Sequence, residues 1–115
     1  MESARLTYLL AKKLPKEELY ALSDQMRRSA VSIASNIAEG QQRNSTKEFI
    51  QFIGIAQGSR AELQTQLLLA KDFGYLTEKE IEPVWFLLEE IGKMLFVLAQ
   101  SLKDNSNAPA TENQN

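Results

Sequence analysis

Glu82-Pro83-Val84-Trp85-Phe86-Leu87-Leu88-Glu89-Glu90-Ile91-Gly92-Lys93-Met94-Leu95-Phe96-Val97-Leu98-Ala99-Gln100-Ser101-Leu102 is the stretch that decides the fold. Within it Val84, Leu88, Ile91, Leu95, Leu98 and Leu102 recur at alternating spacings of four and three. On an α-helix that spacing draws one continuous apolar seam, the mark of a helix packed lengthwise against others. Trp85, Phe86 and Phe96 lie beside the seam. They are more aromatic bulk than one intramolecular groove buries, so part of it is expected to face a second subunit.

Upstream, Thr77-Glu78-Lys79-Glu80 has the form of a capping box, in which side chains at the first and fourth positions satisfy exposed backbone donors at a helix start. Pro83 follows closely and lacks an N–H, so a kink or a fresh helix start at Pro83 is expected. Ser45-Thr46-Lys47-Glu48 is a second capping box and opens a long helix with Phe49, Phe52, Ile53, Ala56, Leu63, Leu67 and Ala70 inward. Gly74 suits the left-handed turn that closes it. Before that, Leu22, Met26, Ala30, Ile33 and Ile37 form a stripe at spacings of four, four, three and four. Its helix begins with an acidic turn near Lys16 or resets at Ser23, taken as an N-cap, and stops at Gly40. A short first helix spans Glu2 to Lys13, with Leu6, Leu9, Leu10 and Tyr8 inward. It ends at Leu14-Pro15, because the residue before proline avoids helical angles.

Four helices joined by short linkers force neighbours to run antiparallel. The expected fold is therefore all-α, an antiparallel up-and-down four-helix bundle over residues 1–103 with a short first helix. The segment from 104 to 115 has almost no apolar bulk and is expected to be a disordered tail.

A chain of 115 residues has room for one such domain. It contains no cysteine and no histidine, which removes thiol nucleophiles, imidazole bases and disulfides, and leaves only carboxylates for a metal. No cofactor site is expected. The N-terminal segment is interrupted by Arg5, Thr7, Lys12 and Lys13, unlike a signal peptide, and no run reaches the roughly 20 apolar residues of a membrane span. A cytoplasmic location is expected.

The formal charge of −2 is unevenly spread: residues 1–60 hold nine Lys or Arg against six acids, and residues 61–103 hold four against seven. Arg27, Arg28, Arg43, Lys47 and Arg60 lie in the basic half, with Arg43 and Lys47 flanking the start of the third helix. They are the candidate nucleic-acid contacts. No aromatic interleaving supports base stacking.

Two further groups stand out. Small residues occupy most of the surface of Arg27 to Gly40, and the third helix offers Gly54 and Gly58, each costing roughly 1 kcal/mol against alanine in a helix interior. Close helix packing, inside the bundle or between subunits, would offset that cost. Asn36, Glu39, Glu62 and Gln66 are candidates for a buried polar network; carboxylate-bridged metal bundles add Glu-x-x-His ligands that this chain lacks.

Read in order, Leu14-Pro15-Lys16-Glu17-Glu18-Leu19-Tyr20-Ala21-Leu22-Ser23-Asp24-Gln25-Met26-Arg27-Arg28-Ser29-Ala30 and Ser35-Asn36-Ile37-Ala38-Glu39-Gly40 resemble the four-helix proteins encoded in intervening sequences of 23S ribosomal RNA genes. Lys47-Glu48-Phe49, Ile55-Ala56-Gln57-Gly58-Ser59-Arg60-Ala61-Glu62-Leu63 and Gly74-Tyr75-Leu76 extend the resemblance, which covers roughly residues 4–103. It implies a left-handed bundle, a homo-oligomer that is often a pentamer, and no established enzymatic activity. It also implies kinship with the accessory bundle protein of diversity-generating retroelements, which associates with a reverse transcriptase and nucleic acid. That relative is strongly basic and this chain is not. Family members also usually carry a longer first helix. In its absence Ile37, Phe49, Phe52, Leu98 and Leu102 are expected to lack full cover. The reading is a non-catalytic homo-oligomeric scaffold or accessory protein, with an RNA- or ribonucleoprotein-binding module as the alternative.

Overall fold

The computed structural model describes residues 1–18 and 21–106. Four helices follow one another: α1 (Glu2–Ala11), α2 (Leu22–Gln41), α3 (Thr46–Asp72) and α4 (Glu78–Ser106), with one turn of 3-10 helix at Lys16–Glu18. Each packs against its sequence neighbour, and α1 closes the ring on α4, giving the up-and-down four-helix bundle, 58 Å long. The main core contains Leu10, Leu22, Met26, Ile33, Leu63, Leu67, Val84 and Leu88; a smaller cluster of Ile53, Ala56 and Leu95 fills the end that α1 does not reach.

Several local expectations change once packing is on view. The buried face of α1 is Ser3, Thr7, Leu10 and Ala11, continued by Leu14, while Tyr8 and Leu9 face solvent. Small residues are needed where α1 lies between two helices. Thr7 stays buried because its hydroxyl donates to the Ser3 carbonyl at 2.7 Å. Ser23 does not cap α2; its hydroxyl donates across to the Ala11 carbonyl at 3.3 Å, tying the α1 end to α2.

Gly40 does not stop α2, which runs on to Gln41. A Cβ placed there would lie 2.8 Å from Phe49 Cδ1 and 2.9 Å from Phe52 Cβ, so the missing side chain is what lets α3 come close. Gly74, by contrast, has φ +81° and closes α3, where the Tyr75 N–H donates to the Ala70 carbonyl at 2.9 Å.

Both helix starts are capped as expected, the one at Ser45 by its hydroxyl alone and the one at Thr77 by a full box. The Glu48 N–H donates to Ser45 Oγ at 3.1 Å. At Thr77 the exchange is reciprocal: the Thr77 N–H donates to Glu80 Oε1 at 2.9 Å and the Glu80 N–H to Thr77 Oγ1 at 3.1 Å. Anchored this way, and with Ile81 and Val84 buried, α4 passes through Pro83 as one helix instead of restarting there. It continues to Ser106, three residues past the expected domain end at 103. The remainder of the expected disordered tail lies outside the described residues.

Candidate functional site

The α3–α4 junction carries a chain of side-chain hydrogen bonds. Gln57, Arg60 and Gln64 stand at spacings of three and four, which places them on one face of α3. Gln57 Nε2 donates to the Gly92 carbonyl at 2.9 Å. Arg60 then donates from Nε to Gln57 Oε1 at 2.8 Å and from Nη1 to Gln64 Oε1 at 2.7 Å. Gln64 Nε2 passes the chain on to Glu89 Oε2 at 2.8 Å. Gly92 makes the arrangement possible, since a Cβ there would meet Arg60 Cζ and Nε at 2.8 Å. Among the described residues no carboxylate forms an ion pair with Arg60. Its guanidinium is positioned by neutral amides at the edge of a groove of about 610 Å³ that Lys93, Phe96 and Val97 also line.

Next to this groove the outer side of α4 carries large apolar side chains around an exposed Lys93–Glu90 ion pair. Phe86, Met94, Phe96 and Val97 are between 62% and 67% exposed. Of the three aromatics singled out beside the seam, only Trp85 tucks in, half-buried against the main core. Gly54 and Gly58 lie on the exposed side of α3, and a Cβ at either would meet nothing within 4 Å. Packing inside the bundle therefore does not account for them.

Asn36, Glu39, Glu62 and Gln66 are not brought together. Asn36 Nδ2 donates to the Ser32 carbonyl and hydroxyl at 2.8 and 3.0 Å. Glu39 is exposed and pairs with Arg43, Glu62 is exposed, and Gln66 is buried with its Oε1 unpartnered. Polar side chains do meet elsewhere between these helices: the Gln57–Arg60–Gln64–Glu89 chain bridges α3 and α4, and a Ser32–Ser59 hydroxyl pair at 2.7 Å joins α2 to α3. The periodic spacing of Gln57, Arg60 and Gln64 was the available signal; their partners on α4 had none.

The five cations are dispersed. Arg27 lies over the Tyr8 ring at 5.9 Å, and Arg28 pairs with Asp24 at 2.7 Å, which raises the Arg28 pKa through that hydrogen bond. Arg43 pairs with Glu39 and lies over Phe52, Lys47 is exposed, and Arg60 belongs to the α3–α4 chain. About 21 Å of helix, at 1.5 Å per residue, separates Arg27 from the α2 end at Gln41 that precedes Arg43. Met1, Ile37, Ile91 and Leu98 border an apolar groove of about 560 Å³ beside the start of α1. Phe49, Phe52 and Leu102, the other residues expected to lack cover, are half-buried. Among the described residues no group of acidic side chains is placed to hold a metal ion, and no helix is long and apolar enough to cross a membrane.

The profile of the 23S rRNA-intervening sequence protein family matches residues 1–97. A crystal structure of a protein of unknown function from the S23 ribosomal protein family of Bacteroides thetaiotaomicron is 30% identical to the chain. It superposes with a TM-score of 0.79, covering 85% of this chain and 92% of that one. No curated protein matches.

Proposed function

The chain belongs to the 23S rRNA-intervening sequence protein family, and from that premise we propose that it is a non-catalytic scaffold that associates with copies of itself in the cytoplasm. The observation that carries this reading is the outer face of α4. Four large apolar side chains, Phe86, Met94, Phe96 and Val97, stand more than half exposed on one helix, where solvent alone would favour polar residues. Exposed glycines on α3 that serve nothing within the bundle support it. Five copies is the number the family resemblance favours. The test is light scattering of the purified chain at micromolar concentration, with Phe86→Ser/Phe96→Ser as the comparison. The wild type is expected to be a homo-oligomer and the variant a folded monomer. A wild-type monomer overturns the proposal.

RNA or ribonucleoprotein binding, in the manner of a reverse transcriptase accessory factor, is less well supported. Arg28 and Arg43 are already paired with carboxylates of their own chain. What favours it is Lys47, exposed beside the α3 N-terminus with no ion pair among the described residues. A salt-dependent shift of structured RNA that disappears in Arg43→Ala/Lys47→Ala would support that alternative.

A further inference from the structure

A second seam runs along the solvent side of α4. Lys79, Phe86, Glu90, Lys93, Val97 and Asp104 follow one another at spacings of seven, four, three, four and seven, the heptad positions of a helix packed lengthwise against a partner. From Phe86 onward each lies two residues beyond a member of the inner seam. That is about 200° round the helix at 3.6 residues per turn, so the outer seam points away from the core. Phe86 and Val97 are 62% and 64% exposed. Within α4 Lys93 pairs with Glu90 at 3.5 Å and Gln100 Nε2 donates to Asp104 Oδ1 at 3.4 Å.

Read backwards, this seam keeps its spacing and inverts its charge. About the midpoint between Ile91 and Gly92, Lys79 exchanges with Asp104, Phe86 with Val97 and Glu90 with Lys93. Two copies of α4 laid antiparallel about that point therefore set each cation of the seam against an anion and each apolar residue against an apolar one. Pro83 and Gln100 fill the two remaining heptad positions and meet each other. Other arrangements lose the match. A parallel pair in register sets Glu90 against Glu90 and Lys93 against Lys93, and sliding the antiparallel pair by one heptad sets Phe86 against Glu90 or Asp104. Glu82 and Glu89, beside the seam, fall level with Ser101 and Met94 of the second copy, so neither meets a like charge there. We propose that the outer seam of α4 is the contact between copies, an antiparallel helix pair centred between Ile91 and Gly92.

The inference rests on the self-association proposed above and deepens it by naming the surface and its register. The contact is isologous, the same patch on both copies, so it joins copies in twos and an assembly built on it holds an even number. That count departs from the five copies that the family resemblance favours, and the mass of the assembly decides between them. In the single chain the exposed Lys93–Glu90 pair contributes little. In the pair of helices each of those charges keeps its neighbour and gains an opposite one across the two-fold axis, which sets register and orientation. Phe86 and Val97 leave water on association and supply the driving force, with Met94 and Phe96 flanking the seam on its two sides.

The experiment uses two charge variants, separately and mixed. Glu90→Lys leaves only cations at the centre of the seam, and Lys93→Glu only anions. Both side chains are largely in solvent, so each variant is expected to keep the wild-type circular dichroism. Each alone is expected to associate about tenfold or more weakly than the wild type in sedimentation velocity, because like charges then face each other across the pair. An equimolar mixture is expected to recover association, since a cationic copy then meets an anionic one. Mixing changes nothing within a single chain, so recovery reports a contact between copies. Light scattering of the wild type is expected to give two copies or a multiple of two. If the wild type self-associates but both variants do so equally well, if the mixture does not recover, or if the assembly holds an odd number of copies, this contact is refuted while self-association stands. A wild type that stays monomeric overturns both.

Discussion

Replacing Gly40 by alanine is the sharpest probe of how α2 meets α3. In an exposed helix interior the substitution stabilises by about 1 kcal/mol, because alanine has less backbone freedom to lose on folding. At Gly40 the new methyl arrives 2.8 Å from Phe49 Cδ1 and 2.9 Å from Phe52 Cβ. The Phe49 ring can turn away. The Phe52 Cβ cannot, because it is fixed to the α3 backbone, so the two helices must separate. Overfilling a packed site in this way costs about 1–3 kcal/mol. Subtracting the helical gain leaves a net loss of about 1 kcal/mol. Gly54 provides the control: it is helical too, with no atom within 4 Å of an added Cβ. Gly54→Ala is expected to gain about 1 kcal/mol, separating the two variants by about 2 kcal/mol. In melting temperature that is roughly 8 °C for a domain of this size. Urea unfolding followed by circular dichroism at two protein concentrations separates the stability of the fold from that of any assembly. If Gly40→Ala proves as stable as Gly54→Ala or more so, Gly40 is not a contact glycine and the reasoning fails.

Three other outcomes follow from the same structure. Gly92→Ala would bring a methyl within 2.8 Å of the flexible end of Arg60; the guanidinium is expected to swing out, leaving fold stability in urea unfolding within about 1 kcal/mol of wild type, and a larger loss would refute that reading. Gln66→Met removes a buried carbonyl oxygen that has no partner among the described residues, and turning the amide over would only bury its NH2 group instead. The variant is expected to unfold at higher urea by about 1 kcal/mol of stability, and a lower midpoint would refute the assignment. Glu80 is held below its ordinary carboxylate value of 4.5, first by the hydrogen bond from Lys13 and then by the Thr77 N–H. A depressed folded-state pKa supports the fold above the unfolded value, and that support is lost as pH falls through the folded one. The stability gap between wild type and Glu80→Gln is therefore expected to narrow between about pH 5 and pH 3; a gap unchanged over that range would show that the charge on Glu80 contributes nothing.

The heptad seam of α4, the stripe of α2, both capping boxes and the Gly74 stop are all readable along the chain. Each is a relation between residues a few positions apart, and helical geometry alone turns it into a face or an end. Four such faces with short linkers leave an antiparallel bundle as the arrangement that buries them, and the absence of histidine and cysteine limits the chemistry in the same direct way. Gly40 and Ser23 mislead because both have a local role, helix stop and cap, that a tertiary contact displaces: one makes room for Phe49 and Phe52, the other reaches Ala11. The polar constellation is harder still. Glu39 and Glu62 look as available for a buried network as Gln64 and Glu89 do, and only the placement of α4 against α3 separates the exposed pair from the bonded one. By itself the sequence determined the inward stripes of α2, α3 and α4, because burial of a periodic stripe is a property of one helix, but not that of the short α1, where Tyr8 and Leu9 face solvent. Tertiary structure alone decided what those helices hold between them, including the Arg60 fork over Gly92, because a hydrogen bond or a missing Cβ matters only once a second helix lies within reach.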